Sequence, residues 1–409
     1  MEAVKGFLYS VVASGLHDAT SIDRILAPVT TELDQLGGRR TTGDEFEIHT
    51  PHVIVVGTGG TEQAILAVAR RRRAAEPWEP VVLVTHALHN SLPASLEALA
   101  RLRRDGVAGR IVQMSDPGEP ETTIADLTAI HRFQHMRLGL IGEPSDWLVA
   151  SIPHRNSFEA QWGIELVDVD VHEAIRHHRD APDVEVHDVA VKFTRTGEPD
   201  LETVAAAAMH PTLTRVIDAH RLDAVAVRCF DFLTDLHTSG CIALAELNDT
   251  GIVAGCEGDI ASTMAMLLAR QLLDQPSWIA NPARIDVEAG RLLLAHCTVA
   301  PSLVDDIELH THFESGLGIG LRGTFAPGPV TLMRLGGDRL ERHWFAEGSI
   351  ESSGDAPDLC RTQVTVHVDE PLDSLLDDPL GNHLVMVLGH HRNRLERWWR
   401  LAFPAGAHR

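Results

Sequence analysis

The chain has few cysteines, no long apolar run and no basic patch, and each lack closes off a class of function. The five cysteines (Cys229, Cys241, Cys256, Cys297 and Cys360) form no CxxC spacing and are odd in number. That argues against both a disulfide framework and a thiolate zinc site, and they read instead as small buried hydrophobes. No apolar run reaches the ~18 residues that a membrane span needs. The opening stretch MEAVKGFLYSVVASGLHD leads into Asp18 and a helix rather than a cleavage site, so cytoplasm is the expected location. A formal charge of −23 argues against nucleic acid or an anionic membrane as a partner. The one arginine run, Arg70 to Arg73, reads as the solvated C-terminal end of a helix. There is no P-loop, and the turn Gly57-Thr58-Gly59-Gly60-Thr61 lacks the full G-x-G-x-x-G spacing. It reads as a tight turn, or a loop that touches substrate, rather than a dinucleotide site.

What the chain does contain is ordinary globular sequence, 44% apolar and 23% charged, long enough for two or three domains. Apolar strand patterns alternate with helical ones from the start. Strands are expected at 6–16, 52–56, 81–85, 111–114 and 138–141, with helices at 21–36, 62–72, 92–104 and 122–136 between them. The alternation resumes with strands at 164–169, 184–193, 224–229 and 251–256, and helices at 171–179 and 201–220. The segment 242–248 reads as helical or extended. Short apolar strands alternating with helices make parallel, doubly wound sheets. From about residue 284 the segments RLLLAH, IELHTHFE, LGIGLRGTF, PVTLMRL and TQVTVHVD are short, alternating and separated by Gly, Pro and Asp, the mark of antiparallel hairpins. The fold class is therefore α/β: two doubly wound parallel-sheet (Rossmann-like) domains, 1–143 and 144–278, followed by a β-rich C-terminal domain, 279–409. A last helix is expected at 392–401.

The chemistry concentrates between residues 254 and 301. Glu257 and Asp259 follow an apolar run and precede an amphipathic helix, which puts two carboxylates at a strand-to-helix turn, where open α/β sheets place their chemistry. Read alone, CEGD is first a helix N-terminal cap, where acids are welcome. Asn281 precedes Pro282, and His296 ends RLLLAH. Among 24 histidines, most read as surface groups, including His172, His177 and His178 on a polar helix face.

At CEGD, the helix after it, IANPARID, AHCT and GNHLVMVLG, the chain resembles the L-fucose isomerase and L-arabinose isomerase superfamily. The resemblance implies a divalent-metal-dependent aldose–ketose isomerase, with manganese the usual ion, and a trimer or hexamer. It implies Glu257, His296 and His383 as metal ligands. It makes Glu257 the base, Asp259 a second choice for that role, and Asn281 a weak ligand or hydrogen-bond donor to the sugar. Asn281 stands where fucose isomerases carry an aspartate, and an amide cannot remove a proton. Such a reaction moves a proton between C1 and C2 through a cis-enediol, which calls for a base at carbon and a Lewis acid at O1 and O2. The substrate class is a pentose, a deoxyhexose or a related sugar. The alternatives are a different metal-enediolate reaction on the same fold, epimerase or lyase, and a non-catalytic sugar-binding protein.

Two further groups are candidates for contact with a sugar. Glu308, His310, His312 and Glu314 alternate with apolar and small residues, so one strand would place all four on one face, lining a sugar cleft or holding a transition metal. Asp146 and Trp147, in PSDW, offer a hydroxyl acceptor and a stacking face.

Overall fold

The structure is a computed structural model and describes residues 6–42, 47–194 and 197–403. The chain divides into two compact units, residues 1–135 with 396–409, and residues 136–395. The division expected at 278/279 falls inside the second unit. Among the described residues, no helix is long and apolar enough to cross a membrane.

The first unit is a five-stranded parallel sheet. Its elements run β1 (Phe7–Val12), α1 (Ala19–Gln35), β2 (Gly38–Thr41), β3 (His52–Val56), α2 (Glu62–Ala75), β4 (Val81–Thr85), α3 (Ser91–Arg104), β5 (Gly109–Gln113) and α4 (Glu119–Phe133). The strand order is β2-β1-β3-β4-β5, every pair parallel. HVIVV and VVLVT are buried along their whole length, as strands covered on both faces must be. Asp18 caps α1, accepting from Ser21 N at 2.9 Å. The strand β2, GRRT, was not expected, because a short polar edge strand carries no apolar period.

The arginine run departs from expectation. Arg72 is 3% exposed and ion-paired with Glu79, while also donating to the carbonyl of Thr50 at 2.7 Å. Glu79 in turn meets His131 at 2.6 Å and accepts from His52 N at 3.0 Å. Only one face of α2 reaches water, so a four-residue basic run must put at least one member inward, where it needs a carboxylate.

The second unit joins a four-stranded parallel sheet to a β-barrel. It opens with β6 (Arg137–Ile141), α5 (Arg155–Trp162), β7 (Glu165–Val169), α6 (Val171–His178), α7 (Asp183–Phe193), α8 (Leu201–Ala207), α9 (Met209–His220), β8 (Ala224–Val227), α10 (Phe230–Asp235), α11 (Cys241–Thr250), β9 (Val253–Cys256) and α12 (Ile260–Leu273). The sheet order is β7-β6-β8-β9. Residues 184–193, expected as a strand, form α7. Val186, Val189, Ala190 and Phe193 are its buried residues, a helical spacing that the run of valines disguises. The single helix expected at 201–220 divides at Ala208 into α8 and α9.

The remaining elements are β10 (Trp278–Asp286), β11 (Arg291–His296), β12 (Asp306–Thr311), β13 (Ile319–Thr324), β14 (Gly328–Gly336), β15 (Arg342–Ser353), β16 (Thr362–Val368), α13 (Asp373–Asp377), β17 (Leu384–Leu388) and α14 (Arg392–Ala402). Six of these strands close a barrel in the order β10-β11-β16-β15-β14-β17, all antiparallel. Closure leaves no free edge. Alternate residues, among them Trp278, Leu292, Leu294, Leu332, Val364, Val366 and Met386, join one apolar cluster. Strands β12 and β13 form a separate hairpin.

Candidate functional site

The carboxylate turn sits between β9 and α12. Glu257 has φ +61° and Gly258 φ +70°, so two successive left-handed residues reverse the chain and bring Asp259 to the helix start. There Asp259 accepts from Ser262 N at 2.8 Å, a side-chain N-cap. Backbone bonds pin the turn from both sides, Gly258 N to Val227 O at 2.9 Å and Ser145 N to Glu257 O at 2.9 Å. A Cβ on Gly258 would stand 2.8 Å from the Pro144 backbone, which explains the glycine.

Two barrel strands deliver the histidines. His296 is the last residue of β11, and His383 immediately precedes β17. Glu257, His296 and His383, all buried, offer ligand atoms that lie within 4.8 Å of one another. Glu257 Oε1 is 3.6 Å from His383 Nε2 and 3.9 Å from His296 Nε2, beyond hydrogen-bond range. His383 Nε2 is buried without a hydrogen bond. Atoms bound to one cation at about 2.0–2.2 Å stand about 3–4 Å apart. The spacing and the orphaned nitrogen therefore fit a metal ion held by one carboxylate and two imidazoles.

Behind this cluster lies a buried relay. His383 Nδ1 meets Asp259 Oδ2 at 2.8 Å, and Asp259 Oδ2 also accepts from Ser262 Oγ at 2.8 Å. Arg334, 1% exposed, reaches the same carboxylate at 3.4 Å and donates to Ser262 Oγ at 2.7 Å, Ser151 Oγ at 2.7 Å and the His383 carbonyl at 3.2 Å. A carboxylate behind a ligating imidazole fixes its tautomer and turns the other nitrogen outward.

The electrostatics follow from this packing. Burial pulls the His383 imidazole down, but the hydrogen bond to Asp259 and the charges of Asp259 and Glu257 outweigh it and push it up to about 9. Burial would raise Glu257, yet His383, His296 and the Trp147 N–H hold it at about 2. Asp259 is held far below the usual carboxylate range; burial opposes this, and His383 and Arg334 prevail. Burial, reinforced by charge on His383, pushes His296 down to about 3.

The other candidate residues separate. Trp147 donates from Nε1 to Glu257 Oε2 at 2.6 Å and meets Phe230 edge to face at 5.0 Å. Phe230 meets His312 at 5.5 Å, which makes an aromatic row beside the carboxylate. Asp146 pairs with Arg228 at 3.4 Å. Asn281 lies on β10, its Oδ1 accepting from Asn382 Nδ2 at 2.9 Å, one residue from His383. Asp259, the second-choice base, is fully enclosed, with its oxygens shared among Ser262, His383 and Arg334.

The single-face reading of Glu308, His310, His312 and Glu314 does not hold, because β12 ends at Thr311. His310 pairs with Glu308 at 3.3 Å on the surface, whereas His312 turns inward and is buried. Sequence reading missed Arg334, Ser151, Ser262 and Phe230. Arg334 did carry a signal, a charge in the otherwise apolar run of VTLMRLG, which a strand buried on both faces tolerates only with a partner.

Next to the Trp147 loop, a cavity of about 710 Å³ opens at the carboxyl ends of β6, β7 and β8. Glu143, Asp146, Asp168, Asp170 and Asp231 line it with Arg228. It lies where the sheet order reverses, the usual ligand position in such sheets.

No family model matches the chain. It is similar to proteins named sulfoquinovose isomerase from Priestia aryabhattai and Priestia megaterium, each 24% identical over 220 residues, 51% of this chain and 49% of the relative. A sulfoquinovose isomerase from a Clostridium species is 32% identical over 85 residues, 20% of this chain and 19% of that protein. The matched region thus spans about half the length of the curated Priestia relatives, and those relatives are named as sugar isomerases.

Proposed function

We propose that the chain is a divalent-metal-dependent aldose–ketose isomerase acting on a sugar through a cis-enediol. The observation that carries this reading is the buried convergence of Glu257, His296 and His383, with His383 Nε2 left open and backed by Asp259. The relatives' name supports the same reaction class. One carboxylate oxygen and two imidazoles suit manganese, with magnesium, cobalt or zinc as alternatives. Bound there, the cation would supply Lewis-acid stabilisation of charge developing on the sugar oxygens.

The chain's own residues account for the rest. Glu257 is held ionised and serves as acceptor for the proton that moves between C1 and C2. Trp147 holds one of its oxygens by hydrogen bond and leaves the other toward the histidines. Asp259 orients His383. The row Trp147, Phe230 and His312 walls one side and offers an apolar face to a sugar ring. The relatives' name makes a sulfonated hexose the first substrate to try, beside pentoses and deoxyhexoses, and a homo-oligomer belongs to the same reading.

The test begins with elemental analysis of purified protein, followed by assay of the metal-loaded protein against a panel of aldoses that includes sulfoquinovose. Ketose should form, chelation should abolish turnover, and Glu257→Gln should lose bound metal together with about 100-fold or more of the rate. A protein that takes up no divalent ion and converts no aldose overturns the reading.

A further inference from the structure

All five cysteines of the chain fall in the second unit, and four of them are buried. Two of these meet directly, with Cys229 Sγ 2.9 Å from Cys256 Sγ. The strands explain why. β8 and β9 are parallel neighbours with Val227 paired to Cys256, and Cys229 follows two residues after Val227. The carbonyl of Val227 accepts from Cys229 N at 2.8 Å and from Gly258 N at 2.9 Å, so one acceptor ties the turn that carries Cys229 to the turn that carries Glu257. Nothing in the isomerase reading uses either sulfur.

The remaining thiols extend this contact into a row. Cys241 interacts with both Cys229 and Cys297, and Cys297 with Cys360, the half-buried member. The row adjoins the candidate ligands at two points of the chain, since Cys256 immediately precedes Glu257 and Cys297 immediately follows His296. At the inner end, the sulfurs of Cys229 and Cys256 need approach by only about 1 Å to reach bonding distance. Arg228 and Asp231, which flank Cys229 in the chain, line the crevice of about 710 Å³. That opening brings a small uncharged oxidant next to the segment that carries Cys229.

We infer that Cys229 and Cys256 form an oxidisable dithiol, a modification site that a peroxide closes to a disulfide and a thiol reductant reopens, with Glu257 displaced while the bond stands. The Cys229 sulfur attacks the peroxide: the O–O bond breaks, an S–O bond forms, and one water leaves with the thiol proton. The Cys256 sulfur then displaces the sulfenic oxygen, which leaves as a second water with the Cys256 proton. Two thiols are thereby oxidised to one disulfide, and one peroxide is reduced to two waters. Drawing Cys256 toward Cys229 pulls on the residue before Glu257, whose left-handed backbone, φ +61°, persists only while its surroundings enforce it. The disulfide forms whether or not a metal binds; its effect on ion affinity rests on the metal reading proposed above.

Peptide mapping of the full chain under non-reducing conditions, before and after hydrogen peroxide, tests the bond. A cross-linked pair of peptides carrying Cys229 and Cys256 is expected, lighter by two hydrogens than the sum of its parts and lost on adding dithiothreitol. With the peroxide removed, equilibrium dialysis against manganese should show an affinity about tenfold or more below that of the reduced protein, recovered after dithiothreitol. Cys229→Ser should bind manganese as the reduced parent does and should lose the peroxide response, whereas Cys360→Ser should keep it. A cross-link in a chain that binds no divalent ion in either state would sink the metal reading and leave the dithiol standing. Absence of the cross-link between Cys229 and Cys256 overturns the inference. So does a measurable manganese affinity that is equal in the oxidised and reduced proteins, or a peroxide response that survives in Cys229→Ser.

Discussion

At the scale of single residues, the cluster depends most on a group that touches no solvent. Arg334 holds Asp259, Ser262, Ser151 and the His383 carbonyl together, and Asp259 in turn sets the His383 ring. Arg334→Met leaves a buried carboxylate with one fewer partner, so stability should fall by about 3–5 kcal/mol in urea unfolding. Equilibrium dialysis should also show divalent-ion affinity falling by about 10- to 100-fold, because the imidazole loses its fixed orientation. Unchanged affinity in a folded Arg334→Met protein would show that the relay does not position His383. Asn281 illustrates the limit of a sequence match at this scale. The resemblance placed it among the ligands, and in the structure its oxygen is taken by Asn382, the residue before His383.

At the scale of elements, the turn between β9 and α12 stores backbone strain at the candidate ligand. Glu257 is a non-glycine residue in the left-handed region, a conformation that costs about 1–2 kcal/mol and persists only where its surroundings enforce it. Gly258 follows with φ +70°, and its missing Cβ is what lets the Pro144 loop close over the turn. Gly258→Ala should cost about 1–3 kcal/mol of stability, measured by urea unfolding, and should displace the Ser145 N to Glu257 O contact. A Gly258→Ala protein as stable as the parent would mean that the turn relaxes freely. The same scale shows why α7 read as a strand: its valines favour β in isolation, while the spacing of its buried residues is helical.

At the scale of the whole molecule, both units bury a histidine that stays neutral. Burial, with Arg72 adding to it and Glu79 opposing, pushes His52 down to about 4, and His296 is pushed down to about 3. In the unfolded chain a histidine titrates near 6.5. Between that value and the folded ones, the unfolded state binds protons that the folded state does not, so stability rises with pH across the window. Each contribution is fully present above about 6.5 and is lost as pH falls through the folded value. For His52 alone this amounts to about 3 kcal/mol. Urea unfolding at a series of pH values from 7.5 to 4 should show that loss, and His52→Gln should flatten part of the slope. An unchanged slope in His52→Gln would assign the acid sensitivity elsewhere.

The sequence by itself determined the alternation of parallel strands and helices and the change to hairpins near residue 284, because buried strands and amphipathic helices must declare their periods locally. It also placed two carboxylates at a strand-to-helix turn, and resemblance added His296 and His383. Tertiary structure alone decided which of these groups meet. His383 lies 126 positions beyond Glu257 in the chain, and only barrel closure between β10 and β17 brings it to 3.6 Å from that carboxylate. Closure likewise put Arg334 behind Asp259, and the end of β12 turned His312 inward while His310 stayed at the surface. Periodicity reports which face of an element is buried, but the partner across that face is fixed by long-range packing that no local pattern encodes.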